Sequence, residues 1–115
     1  MTIVPRSISS YNRRVADGDL DSFELDLSLI LHALSDPQRR TIIRELAASS
    51  EPVPCGQIEL GVGKSTRTHH FRVLREAGLI EQRREGTRKL TSLRRAEIDA
   101  KFPGLLDAVL APVPA

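Results

Sequence analysis

Three short patterns in the sequence have residue types that could perform chemistry. The first is the run GKST at residues 63–66, which matches the end of a P-loop, where backbone N–H groups and a lysine hold nucleotide phosphates. A complete P-loop also needs a glycine five residues before Gly63, and that position is Ile58. No apolar strand precedes the run either. The pattern therefore does not predict a nucleotide-hydrolysing enzyme.

The other two patterns are a histidine pair and a lone cysteine. His69 and His70 are neighbours, so on a helix they point about 100° apart and cannot bind one metal ion from the same face. Cys55 has no intrachain disulfide partner, and we interpret it as a small packing residue, with a redox-sensing thiol as the less favoured alternative. No spacing suggests a catalytic triad or a carboxylate pair. We therefore expect no enzyme activity, no metal site and no cofactor.

Charge is distributed unevenly along the chain. The net charge is +2, but residues 64–95 contain ten basic and three acidic side chains, a net +7 that leaves −5 elsewhere. A concentrated basic region in a nearly neutral protein indicates a polyanionic partner at one face. Single-stranded nucleic acid is disfavoured, because base stacking needs aromatic side chains and the chain has only Tyr11, Phe23, Phe71 and Phe102.

Length and composition limit the architecture. The 115 residues, 40% of them hydrophobic, suit one domain with a modest core. Apolar runs are too short for a membrane span, and residues 1–11 lack the apolar segment of a signal peptide, so we expect a cytoplasmic protein with no membrane partner. We expect residues 1–19 to be a flexible N-terminal arm, residues 20–111 the folded domain, and residues 112–115 a frayed tail.

Two helices are predicted in the first half of the domain. The acidic stretch over residues 17–26 suits a helix start, and apolar residues at helical spacing continue the helix to Leu34. Asp36 and Pro37 then fit the N-cap and first position of a second helix over residues 37–48.

The middle of the chain predicts a short strand and two helical pieces. Residues 53–55 are an extended piece, and residues 56–60 fit one or two helical turns. A longer helix follows over residues 65–77, with Ser65 as its N-cap and Gly78 just beyond its end.

The last part predicts a hairpin and two short helices. Residues 80–84 and 88–93 flank the turn EGT, and helical segments follow at residues 94–100 and 103–110. This element order is that of a winged helix-turn-helix, a mainly α fold with a small β-hairpin wing.

Three segments resemble the ArsR-type (ArsR/SmtB-like) bacterial transcriptional regulators. The run KSTRTHHFRVLREAGLI at residues 64–80 is similar to the family's recognition helix, LHALSDPQRRTII at 31–43 to its second-helix entry, and EGTR at 85–88 to its wing tip. Three pieces in the right order make the resemblance fairly specific. It implies a dimeric repressor that reads double-stranded DNA with a helix in the major groove.

Both the resemblance and the charge pattern indicate which residues contact DNA. Short hydroxyls and an imidazole suit base or phosphate contacts on the recognition helix, and cations around a glycine tip suit the DNA backbone or minor groove. The predicted DNA-binding residues are Lys64, Ser65, Thr66, Thr68, His69, Arg72, Arg75, Arg83, Arg84, Arg88 and Lys89. His70 is expected to pack, partly buried.

One residue departs from the family pattern. Arg67 stands where the family usually has an inward apolar side chain. We favour a stem that packs along the core while the guanidinium reaches a phosphate, over a rotated helix in which Arg67 contacts a base.

The first and last helices are more apolar than a small core requires. The resemblance implies that they pack across a two-fold axis, which makes a homodimer, and the alternative is that they only complete the monomer core. The predicted interface residues are Phe23, Leu27, Ile30, Leu31, Leu105, Leu106 and Val109.

The leading hypothesis is a homodimeric, sequence-specific DNA-binding repressor with a pseudo-palindromic operator. The alternative is a winged-helix module whose basic face docks an acidic protein without binding DNA. The sequence leaves a small-molecule effector open as a further partner and does not identify one.

Overall fold

The computed structural model describes residues 24–112. Its elements are, in chain order, helix α1 (Leu27–Ala33), helix α2 (Pro37–Ala47), strand β1 (Val53–Pro54), a 3-10 turn (Cys55–Gln57), helix α3 (Lys64–Glu76), strands β2 (Ile80–Glu85) and β3 (Arg88–Leu93), and helices α4 (Arg95–Lys101) and α5 (Leu105–Leu110). The predicted winged helix-turn-helix is confirmed. The expectations for residues 1–19, for Phe23 and for the tail beyond Pro112 lie outside the described residues. No helix within residues 24–112 is both long and apolar enough to cross a membrane.

The start of α2 follows from two neighbouring residues. Asp36 is the N-cap, and its carboxylate accepts hydrogen bonds from the backbone N–H groups of Gln38 (2.8 Å) and Arg39 (3.1 Å). Pro37 occupies the first turn, where its missing N–H costs nothing. The predicted cap is therefore confirmed.

The sheet connects the wing to the segment that precedes helix α3. Its strand order is β1-β3-β2, all antiparallel, with Val53 paired to Thr91. The predicted hairpin is present, and its two-residue turn lies between the paired residues Glu85 and Arg88. The turn begins at Gly86, whose φ of 64° is a conformation that glycine adopts without steric cost.

A single hydrophobic core joins the helices of the described chain to β2. It includes residues from every one of these helices, among them Ile30, Ile42, Leu74, Ile98 and Leu106, and each of these five is 0% exposed. The assignment of Ile30 and Leu106 to the dimer interface is therefore corrected. Both short helices turn these residues into the monomer core, so neither side chain has surface left to offer a partner.

The helical turns predicted at residues 56–60 are shorter in the structure. Only the 3-10 turn Cys55–Gln57 forms, because the backbone becomes extended at Ile58 (φ −92°, ψ 113°). Ile58 is nevertheless buried and Leu60 half-buried.

Two helix starts also differ from prediction. The N-cap of α3 is Gly63 and not Ser65, and Gly63 accepts through its carbonyl from the N–H of Arg67 (2.9 Å) with no side-chain cap. Helix α5 begins at Leu105, because Gly104 adopts a left-handed conformation (φ 86°) that interrupts the preceding turn.

Candidate nucleic-acid interface

Helix α3 presents one polar face to solvent and one apolar face to the core. His70, Phe71 and Leu74 are buried, and Val73 is half-buried against the core. All seven of the helix residues predicted to bind DNA are exposed: Lys64, Ser65, Thr66, Thr68, His69, Arg72 and Arg75. The helix therefore offers a surface of hydroxyls, an imidazole and cations.

The C-terminus of α3 is fixed by a glycine. Gly78 has φ 84°, and its N–H donates to the carbonyl of Arg75 (3.0 Å), while the N–H of Leu79 donates to that of Leu74 (3.1 Å). This pair of hydrogen bonds is a Schellman motif, which confirms the predicted role of Gly78. It ends the helix sharply and leads the chain directly into the wing.

The wing carries the remaining predicted contacts. Arg83, Arg84, Arg88 and Lys89 are all exposed near the hairpin tip. Arg84 and Lys89 are directly opposed across β2 and β3, and like charges in that position repel. The repulsion between these two cations is unfavourable in the free protein, and a polyanion placed beside both of them makes the same arrangement favourable.

Helix α3 and the wing adjoin one another. Thr68 and Arg75 of α3 line a small cavity together with Lys89 of β3. Arg75 Nη1 also donates to Gln82 Oε1 on β2 over 3.0 Å. Cations from the two elements thus border one cleft, in which an anionic group could contact both.

The structure corrects both expectations for Arg67. Its guanidinium is half-buried and donates to the backbone carbonyls of Cys55 and Ile58, the latter over 2.5 Å. It also lies over the ring of Phe71, 5.2 Å from the ring centre. The guanidinium donates to carbonyls of the protein itself, so neither the expected phosphate contact nor the alternative base contact is retained for Arg67. The long, flexible side chain of Arg67 can reach these carbonyls or solvent, and the spacing of residues in the sequence does not determine which direction it takes.

A buried polar cluster lies directly beneath α3. The guanidinium of Arg39, 6% exposed, donates to Ala33 O (2.7 Å) and His32 O (3.3 Å) and to Nδ1 of His70 (3.2 Å). Because arginine is only a donor, His70 must accept at Nδ1 and carry its proton on Nε2. That nitrogen lies 3.8 Å from the Asp36 carboxylate.

The cluster lowers the pKa values of both His70 and Asp36. Burial lowers the pKa of His70 below 6.5, and the charges of Arg39 and His69 lower it further, against the opposing effect of Asp36. Burial raises the pKa of Asp36, but backbone N–H groups and the charges of His70 and Arg39 outweigh burial and bring it below 3.8. His70 is therefore neutral at neutral pH, consistent with the packing role expected for it.

Sequence analysis missed Arg39, although a signal was present. Arg39 precedes Ile42, Ile43 and Leu46 at helical spacing, so the period alone places it on the apolar face of α2. A charged residue at such a position is a candidate for a buried hydrogen-bonding role.

The predicted dimer surface is only partly defined. Leu27 and Leu31 of α1 are large apolar side chains with 43% and 48% exposure, while Leu105 and Val109 are half-buried against the core.

Among residues 24–112, no group of three or more His, Cys, Asp and Glu side chains is placed to hold a metal ion.

Comparison with known proteins agrees with this geometry. A family model described as "Helix-turn-helix domain" matches residues 34–83. The uncharacterized HTH-type transcriptional regulator YceK of Bacillus subtilis is 38% identical over 82 residues, a match covering 70% of this chain and 82% of YceK.

Solved structures show the same fold. The homodimeric winged helix-turn-helix DNA-binding domain of Mb0332 from Mycobacterium bovis, described as a possible ArsR-family transcriptional regulator, superposes with a TM-score of 0.59. It is 22% identical, and the match covers 95% of this chain and 89% of that domain. The transcriptional repressor BigR of Xylella fastidiosa gives a TM-score of 0.55 at 22% identity, covering 96% of this chain and 100% of BigR.

Proposed function

Because this chain belongs to the HTH-type transcriptional regulators, with the winged helix-turn-helix fold that its ArsR-type resemblance implied, we propose that it is a sequence-specific, homodimeric DNA-binding repressor. Helix α3 enters the major groove, and the wing grips the adjacent backbone or minor groove. Repression follows from blocking polymerase at the operator. Such a regulator acts on chromosomal DNA in the cytoplasm and needs no catalytic residue.

The observation that carries this proposal is the uniform exposure of the predicted contacts. All eleven residues assigned to DNA, seven on α3 and four on the wing, point to solvent, while the apolar side of α3 is buried. The N-terminal turns of α3 carry small hydroxyl side chains, which allow close approach to base edges, and the cations suit phosphates.

Dimerisation is the second part of the proposal. Exposed leucines on α1 (Leu27 and Leu31) and the half-buried Leu105 and Val109 of α5 are the residues we assign to the interface. The homodimeric state of the M. bovis domain, which shares the fold, is consistent with this assignment. A two-fold dimer predicts two half-sites whose centres are one helical turn, about 10–10.5 bp, or a multiple of it apart.

The decisive experiment measures DNA affinity by fluorescence anisotropy across a salt series. The protein is titrated with duplex DNA from upstream of its own coding sequence and with a scrambled duplex of equal length. Tighter binding to the native duplex is expected, with log K falling by about 0.9 per neutralised phosphate for each unit of log salt.

A triple variant tests the wing. Replacing Arg83, Arg84 and Arg88 by alanine should flatten the salt slope by up to about 2.7 per subunit, because three phosphate contacts are lost. The control removes two exposed cations outside α3 and the wing, Arg44 of α2 and Lys101 of α4, and should leave the slope unchanged.

Three results would refute the proposal. Unchanged affinity in the triple variant would show that the wing does not contact DNA. Absence of binding even at low salt, or failure of the protein to enrich any sequence from a random duplex pool, would refute sequence-specific binding. It would also favour an acidic protein as the partner of the basic face.

A further inference from the structure

A closed ring of hydrogen bonds connects α3, the 3-10 turn and the wing. From α3, Arg67 donates to the carbonyl of Cys55. The Cys55 Sγ accepts from Gln82 Nε2 on β2 over 3.2 Å, and Gln82 Nε2 also donates to Thr91 Oγ1 over 3.1 Å. The ring returns to α3 where Gln82 Oε1 accepts from Arg75.

The ring supplies a hydrogen-bond donor to a backbone carbonyl that the short 3-10 turn leaves without a helical partner. Because the chain becomes extended at Ile58, its carbonyl has no helical N–H partner, and Arg67 supplies one. The same guanidinium lies over Phe71 on the next turn of α3. A single arginine therefore fixes α3 to the 3-10 turn that forms in place of the predicted helical turns at residues 56–60.

The members of the ring are held from several sides. Thr91 is 0% exposed, and Gln82 and Cys55 are half-buried between β1, β3 and α3. Arg67 and Arg75 are eight residues apart, about 12 Å along the helix axis. Contacts at two points this far apart constrain the direction of α3 as well as its position.

We propose that Arg67 and Gln82 are positioning residues, which hold the recognition helix and the wing at a fixed mutual angle for sequence-specific DNA binding. The inference rests on the proposed function, and it assigns no DNA contact to either residue. Sequence-specific binding requires α3 and the wing to reach their grooves together. Loosening the ring removes none of the cations assigned to DNA, although Arg75 loses its Gln82 partner, and it raises the entropic cost of ordering both elements at the operator.

The test compares Arg67→Met and Gln82→Met with Arg72→Met. Each protein is titrated with a duplex that the wild-type protein selects from a random pool and with a scrambled duplex, across a salt series. Arg72→Met removes an exposed cation from the same helix, so its salt slope should fall by about 0.9. Arg67→Met and Gln82→Met should lose about tenfold affinity for the selected duplex only, with unchanged slopes and scrambled-duplex affinity within about twofold.

Arg67→Lys separates positioning from simple charge. A single ammonium cannot reproduce the planar fork that serves two carbonyls and stacks on a ring, so Arg67→Lys should bind as weakly as Arg67→Met. Restoration of wild-type affinity by lysine, or a slope that falls in Arg67→Met as in Arg72→Met, would overturn the inference.

Folding is monitored in the same series, so that instability is not mistaken for lost positioning. Circular dichroism gives the folded fraction of each variant, and affinities are corrected for it. An equal loss of affinity for both duplexes after this correction would overturn the positioning role. Wild-type affinity of Gln82→Met for the selected duplex would overturn it as well, because this substitution changes no charged residue. A wild-type protein that selects no duplex overturns the proposed function and this inference with it.

Discussion

The substitution Arg39→Met tests the buried cluster beneath the recognition helix. Arg39 is 6% exposed and donates to the carbonyls of Ala33 and His32 at the end of α1 and to the His70 imidazole on α3. It therefore connects three helices through a single side chain. Methionine keeps a long apolar stem in the same space but removes every donor.

The expected loss of stability follows from these contacts. Hydrogen bonds to a charged group contribute about 1.5–3 kcal/mol each, and two carbonyls lose such a donor, which gives about 3–6 kcal/mol. The buried methionine and the avoided desolvation of a guanidinium offset roughly 1–2 kcal/mol of that loss. We expect Arg39→Met to lower the free energy of unfolding by about 1–5 kcal/mol, a large share of the 5–15 kcal/mol typical of a domain.

Urea denaturation followed by circular dichroism measures this change. Protein concentration is held constant, because self-association would make stability depend on it. Arg44→Met is the matched control, since Arg44 is an exposed arginine of the same helix, and its effect should stay within about 0.5 kcal/mol. A loss below about 1 kcal/mol in Arg39→Met would refute the reasoning, because it would mean that the buried hydrogen bonds contribute almost nothing net.

Three further outcomes are expected. Because the pKa of His70 is lower in the folded chain than its ordinary 6.5, the unfolded chain binds more protons, and the free energy of unfolding should fall as the pH drops through 6.5. In His70→Asn, the free energy of unfolding measured by denaturation should depend less on pH across this range. An equal pH dependence in the variant and the wild-type protein would contradict the assignment. Gly78→Ala forces alanine into φ 84° and should cost about 1–2 kcal/mol in urea denaturation, whereas Gly56→Ala, at an open position without positive φ, should cost nothing. If the proposed dimer forms, the double variant Leu27→Glu/Leu31→Glu should sediment as a monomer, and a persisting dimer would place the interface elsewhere.

The sequence was most informative where local chemistry decides local structure. Asp36 and Pro37 predicted the start of α2, Gly78 the end of α3, and Gly86 the hairpin turn, and the structure confirms each. Caps and tight turns depend on the conformational limits of one or two residues and on hydrogen bonds within a few positions. Exposure of the polar side of α3 followed from the helical period for the same reason.

The tertiary structure decided every outcome that depends on distant neighbours. Ile30 and Leu106 belong to the core and not to an interface, because the packing of other helices determines which apolar side chains remain exposed. Arg67 turns inward because carbonyls at Cys55 and Ile58 lie within reach of its guanidinium, nine and more positions back along the chain. The sequence by itself determined the elements, their order and the sign of the charge they carry. The direction of long side chains and the burial of each helix face were settled only by folding, since both depend on contacts between segments that no local pattern encodes.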